Sequence, residues 1–153
     1  MPAPKKWFLL SAAVAVAGMA ALAQNQKSPI LNSTGIEWNS LEPKPNATGS
    51  SRKFFEGPTA SLDLLECHAS TLNPGATNHV ILKRPNDEII IVKEGAIEAY
   101  VGDQWVHLGP GSVIFNAANA PQSMRNAGTV PATYHVITFR TTAVKPPVSE
   151  KQN

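Results

Sequence analysis

Apolar and polar positions alternate over short distances through the middle of the chain. The segments "LDLLECHASTL", "HVILK", "EIIIVKEG", "AIEAYVG", "QWVHLG", "GSVIFNA", "QSMRNAG" and "TYHVITFRT" are each rich in β-branched or aromatic residues. Gly, Pro and Asn punctuate them at a spacing of roughly ten residues, the signature of an all-β sandwich or barrel. "VGDQW" sets Gly102-Asp103 between two such runs and predicts a hairpin turn. No helical periodicity is sustained outside the N-terminus. The predicted fold is therefore a small antiparallel β-barrel over residues 53–140.

The flanks differ in texture. "MPAPKKWFLLSAAVAVAGMAALAQ" carries Lys5 and Lys6, then an apolar run, then Ala21-Leu22-Ala23. This order of positive, apolar and small-residue regions reads as a secretory signal peptide over residues 1–23. A membrane anchor is the other reading, but the run from Trp7 to Ala23 is short for a span and rich in alanine. The expected location is outside the cytoplasm, periplasmic or secreted, with no membrane attachment after cleavage. Residues 24–52 contain Pro29, Pro43 and Pro45 and read as an extended arm. Ile30, Ile36 and Trp38 are its candidates for packing on the domain. Residues 141–153, with Pro146-Pro147, read as a flexible tail.

Processing changes the charge. The precursor has 13 basic and 11 acidic residues, and losing Lys5 and Lys6 makes the two equal. A neutral mature chain without a basic stripe gives no footprint for nucleic acid. Cys67 is the single cysteine, so no disulfide braces the domain. Its place in an apolar strand pattern favours burial over reactivity. Nucleophile-elbow, phosphate-loop and dinucleotide motifs are absent from the sequence.

Two stretches carry the chemistry. "PGATNHVILKRPNDEIIIVKEG" and "GSVIFNAANAPQSMRN" resemble the two motifs of the cupin superfamily, secreted bacterial single-domain members included. In the first, Gly75 opens, and Glu88 and Gly95 match with six residues between them; in the second, Gly111 and Asn126 match. The resemblance implies a double-stranded β-helix of jelly-roll type and often a homodimer. It also implies a divalent metal held by an H-x-H pair, a glutamate and a second-motif histidine. Carried over by position, those ligands fall on Leu82, Arg84, Glu88 and Gln122, so the glutamate alone is retained. Ala117 and Asn119 stand where the family has Pro and Gly.

Leu82 cannot coordinate, and Arg84 brings a permanent charge with no lone pair. Side chains two apart on a strand share a face, so Leu82 and Arg84 are expected to point together. If that face is the interior, Arg84 neutralises Glu88 in place of the ion; an exposed Arg84 before Pro85 is the other reading. No cofactor is favoured. A metal, if bound, would draw on His79, Glu88 and Gln122. The expected ligand-binding positions are Leu82, Arg84, Glu88, Gln122 and Met124, among apolar Ile90, Val92 and Phe115. His68, His107 and His135 oppose their apolar neighbours and are expected to face outward or an interface.

Two functions stay open from sequence. One is a metal-free small-molecule-binding or structural barrel, with Arg84 suited to a carboxylate-bearing ligand. The other is a metal-dependent enzyme of dioxygenase, isomerase or decarboxylase type working with altered ligands, or an acid–base version with Glu88 and His79. Fold alone does not choose between them.

Overall fold

A computed structural model describes residues 29–141. The readings of a signal peptide and of the tail beyond residue 141 lie outside these residues. After a short 3-10 turn at Trp38–Ser40 the chain forms ten strands. These are β1 (Lys44–Asn46), β2 (Gly49–Gly57), β3 (Leu64–Leu72), β4 (Leu82–Lys83) and β5 (Asp87–Glu94). They continue as β6 (Ile97–Val101), β7 (Gln104–Leu108), β8 (Val113–Asn116), β9 (Pro121–Arg125) and β10 (Ala132–Arg140). Strand structure thus begins at Lys44, inside the segment read from sequence as an extended arm.

The strands form a six-stranded sheet in the order β1-β2-β3-β10-β5-β8 and a four-stranded sheet in the order β4-β9-β6-β7. Every ladder is antiparallel. This is the jelly-roll arrangement expected, but as two sheets around one core and not as a closed barrel. The reason lies at the edges. β4 is two residues long, ends before Pro85, and pairs only with β9. β8 and β1 each pair with one neighbour, so no ladder joins the sheets.

Period-two alternation puts one face of each strand inside. Ile90, Val92, Tyr134 and Val136 of the large sheet meet Ile97, Ala99 and Met124 of the small one, all buried. Such side chains contribute roughly 1.5–3 kcal/mol each on burial. The Gly102-Asp103 turn is as the sequence predicts. Val101 pairs with Gln104, and both turn residues have positive φ, 57° and 62°. That is the turn whose twist matches the strands it joins.

The arm is latched to the outer face of the large sheet. Trp38 lies 6.1 Å from the Phe54 ring and 5.7 Å from that of His135. The Arg52 guanidinium and Lys93 ammonium stand 4.6 and 4.1 Å from its ring centre. Ile30 is exposed, contrary to expectation. Its neighbour Leu31 instead packs beside Gly57 and donates its backbone N–H to Pro58.

Candidate functional site

The core fills one end of the space between the sheets; the other end is a cavity of about 300 Å³. The same alternation that builds the core lines it. On β3 the inward row runs Glu66, His68, Ser70 and then buried Leu72. On β5 it runs Glu88 and Ile90, and on β10 Tyr134, Val136 and Thr138. Each strand passes from apolar at the core to polar at the mouth.

Arg84, Glu88, Gln122 and Met124 all line this cavity, as does His79. Leu82 does not; it is half-buried and sits directly across the β4–β9 ladder from Gln122. Val92 lies deeper, in the core, and Phe115 is exposed on the outer face of β8. These two were expected at the cavity, but the wall there turns polar at Glu88, and Phe115 falls on the opposite parity of its strand.

Glu88 is 8 % exposed. Its Oε1 lies 3.9 Å from Arg84 Nε and accepts a long 3.5 Å contact from the Thr138 hydroxyl. At that separation Arg84 and Glu88 attract as charges but do not form a hydrogen bond. The Arg84 side chain is 42 % exposed, so its guanidinium is only loosely tied to Glu88. Gln122 is buried. Asn116 Nδ2 donates to its Oε1 at 2.6 Å, and its Nε2 has no partner among the described residues. Asn86 Oδ1, also on the cavity wall, is a second buried atom without a partner. Buried polar atoms are nearly always satisfied, so an unpaired donor and an unpaired acceptor in one cavity are open to water or to a polar ligand.

A further pair went unread in the sequence. His68 Nδ1 and Glu66 Oε1 are 2.7 Å apart, with both side chains partly buried. That hydrogen bond, chiefly, holds the Glu66 carboxyl below the usual carboxylate range, against the opposing effect of burial. His68 was expected to face outward because Cys67 and Ala69 are apolar. The inference inverts here: those two lie on the outer parity, where Ala69 is in register with Arg52 and His135, both touching Trp38. A polar cavity and a covered outer face reverse the usual rule. The available signal was the polar row Glu66-x-His68-x-Ser70. His135 does lie at an interface, with the arm, where burial and then Lys93 push its pKa down. His107 is exposed. Tyr134 is pushed up to about 12, chiefly by burial.

Asn126, matched in the second motif, has a structural task. Its Nδ2 donates to the carbonyls of Leu72 and Val130, and its Oδ1 accepts from the Gly128 N–H.

The family's metal can be tested against these residues. His79 turns Nδ1 toward the Val80 carbonyl at 2.7 Å. The oxygen of Gln122 is occupied by Asn116, and its free atom is an NH₂ nitrogen that cannot ligate. Among the described residues no three His, Cys, Asp or Glu side chains form a group able to hold an ion. Glu66 and His68 are engaged with each other, and Glu88 beside a guanidinium does not fit a divalent metal.

The Cupin domain model matches residues 69–138, from within β3 to within β10. This is a Cupin-domain protein. Solved structures agree on the fold. A RmlC-like cupin from Shewanella frigidimarina is 11% identical with a TM-score of 0.60, covering 73% of this chain and 95% of that one. The polyketide cyclase RemF from Streptomyces resistomycificus is 14% identical at 0.59, covering 74% and 88%. A sugar phosphate isomerase of the cupin superfamily from Silicibacter pomeroyi is 20% identical at 0.56, covering 71% and 76%. Identities this low speak for fold alone. No curated protein matches the chain.

Proposed function

We propose that this cupin acts outside the cytoplasm as a metal-free receptor for a small polar molecule bearing a carboxylate or similar oxyanion. The observation that carries the reading is the buried Gln122 Nε2, unpartnered in a cavity whose mouth holds a loosely tied guanidinium. Together they offer an oxyanion one neutral and one charged donor, and charge-assisted hydrogen bonds of this kind are the stronger ones. Asn86 Oδ1 and the cavity acids offer acceptors to hydroxyl groups on the same molecule. Arg84, at a position where the family motif has a metal ligand, brings a charge that offsets Glu88.

One experiment on the exported protein tests this. Intact mass is expected to match a chain starting at Gln24, elemental analysis to find no stoichiometric metal, and small hydroxy- and oxo-carboxylates to raise the melting temperature. Arg84→Met is expected to abolish that rise. A bound metal at one per chain, or an unchanged rise in the Arg84 variant, would overturn the reading.

A further inference from the structure

The Glu66–His68 pair faces the same cavity. Its ring nitrogen Nδ1 is committed to the carboxylate at 2.7 Å, and Nε2 has no hydrogen-bond partner among the described residues. A carboxylate that fixes one imidazole nitrogen sets the ring's orientation and tautomer and supports the cation formed when the other nitrogen takes a proton. The charged groups around the pair are accounted for. Lys53 is in register with His68 on β2, and Glu56 with Glu66. Lys53 and Glu56 are ion-paired with each other. On the β10 side Val136 and Thr138 stand next to His68 and Glu66, and beyond Thr138 lies Glu88 with its own cation, Arg84. His79 also lines the cavity, but its Nδ1 meets a neutral carbonyl, that of Val80; of the two imidazoles His68 is the one oriented by a carboxylate.

We propose that Glu66 and His68 form an acid–base element that enolises a small 2-oxo carboxylate bound in this cavity, His68 being the catalytic residue and Glu66 its positioning residue. The proposal rests on the ligand class proposed above. In the step, the C–H bond next to the carbonyl breaks and its proton goes to His68 Nε2. The bonding pair becomes the carbon–carbon double bond, and the carbonyl π pair moves to oxygen. The enolate oxygen accepts from Gln122 Nε2, the buried donor that otherwise has no partner, and the carboxylate meets Arg84. Return of a proton from the imidazolium to carbon completes an exchange or an isomerisation. No oxidant, metal or second reactant enters the balance.

The test is proton NMR in D₂O with pyruvate, 2-oxobutyrate and 2-oxoglutarate, following loss of the C3 signal, with a thermal shift measured on the same acids. The wild-type protein is expected to bind at least one of them and to exchange its C3 protons faster than buffer. His68→Gln is expected to keep the thermal shift and lose exchange by on the order of a hundredfold. Glu66→Gln is expected to lower the rate and move the acid limb of the pH–rate profile to lower pH, a change that a purely structural role for Glu66 would not produce. Binding without exchange refutes the proposal and leaves the receptor reading standing. Exchange that persists in His68→Gln refutes it too. Absence of both binding and exchange refutes the proposal and, if hydroxy-carboxylates also fail to bind, the receptor reading with it.

Discussion

Replacing Arg84 by Met should destabilise the protein more than replacing Glu88 by Gln, and the double change should cost less than Arg84→Met alone. The asymmetry comes from burial. The Glu88 side chain is 11% exposed and that of Arg84 is 42%. Two unit charges 3.9 Å apart attract by about 1 kcal/mol in a water-like medium and about 4 kcal/mol at an effective dielectric near 20. The exposed guanidinium places this pair toward the screened end, so a coupling of about 1 kcal/mol is expected. Arg84→Met leaves a desolvated carboxylate with only the long Thr138 contact, a loss of roughly 1.5 kcal/mol. Glu88→Gln leaves a cation that water already solvates, and its amide oxygen keeps the Thr138 contact, so about 0.5 kcal/mol is expected. Urea unfolding of the wild-type, two single and double variants closes the cycle. Equal costs for the two single changes, or additivity within about 0.3 kcal/mol, would show that Glu88 does not depend on Arg84 and that no guanidinium stands in for an ion here.

Two further outcomes follow from the geometry. Gly95→Ala should cost about 2–4 kcal/mol, because φ is 69° and a Cβ there would lie 2.6 Å from the Pro131 carbonyl oxygen. Gly102→Asn, at φ 57° with open space around it, should be nearly neutral; similar urea midpoints for the two variants would contradict this. For Glu66, the folded carboxyl lies below its ordinary value of 4.5, mainly through His68. Its stabilisation is therefore present above that value and lost as pH falls through the depressed folded one. Melting temperatures measured from pH 6 to pH 3 should fall less steeply for Glu66→Gln than for the wild-type protein; parallel curves would refute the link.

The fold was legible because its signals are local. Strands and turns appear as period-two runs broken by Gly, Pro and Asn, and the Gly102-Asp103 turn needs only two residues to declare itself. Barrel closure was not legible, since it depends on whether ladders form between distant edges. A two-residue β4 before Pro85 cannot supply one. The domain's beginning was blurred for a different reason. Pro45 lies within β1, on the edge of the large sheet, a place that tolerates a residue without an N–H. Read in sequence, the same proline argues against a strand.

Motif position set Arg84, Glu88 and Gln122 correctly at the cavity and missed at Leu82, whereas hydropathy misplaced His68. Glu88 and Gln122 were placed by spacing and do line the cavity; His68 was set outside because its neighbours Cys67 and Ala69 are apolar. Hydropathy separates the faces of a strand when one borders an apolar interior and the other borders water. In this sheet the outer face of β3 is partly covered by the arm through Trp38, and the inner face at the mouth borders a polar cavity. Both faces then have reasons to depart from the rule. Nothing in β3 alone distinguishes an outward polar row from one lining a cavity. The distinction lies in what stands opposite, and here that is Asn78, Gln122 and Ser123, contributed by segments that start only beyond the strand's end. Glu66 and His68 therefore become a candidate pair only when the two sheets are laid face to face. With the outer face covered and the inner row polar, the half-buried His68 is turned toward the cavity and not into packing.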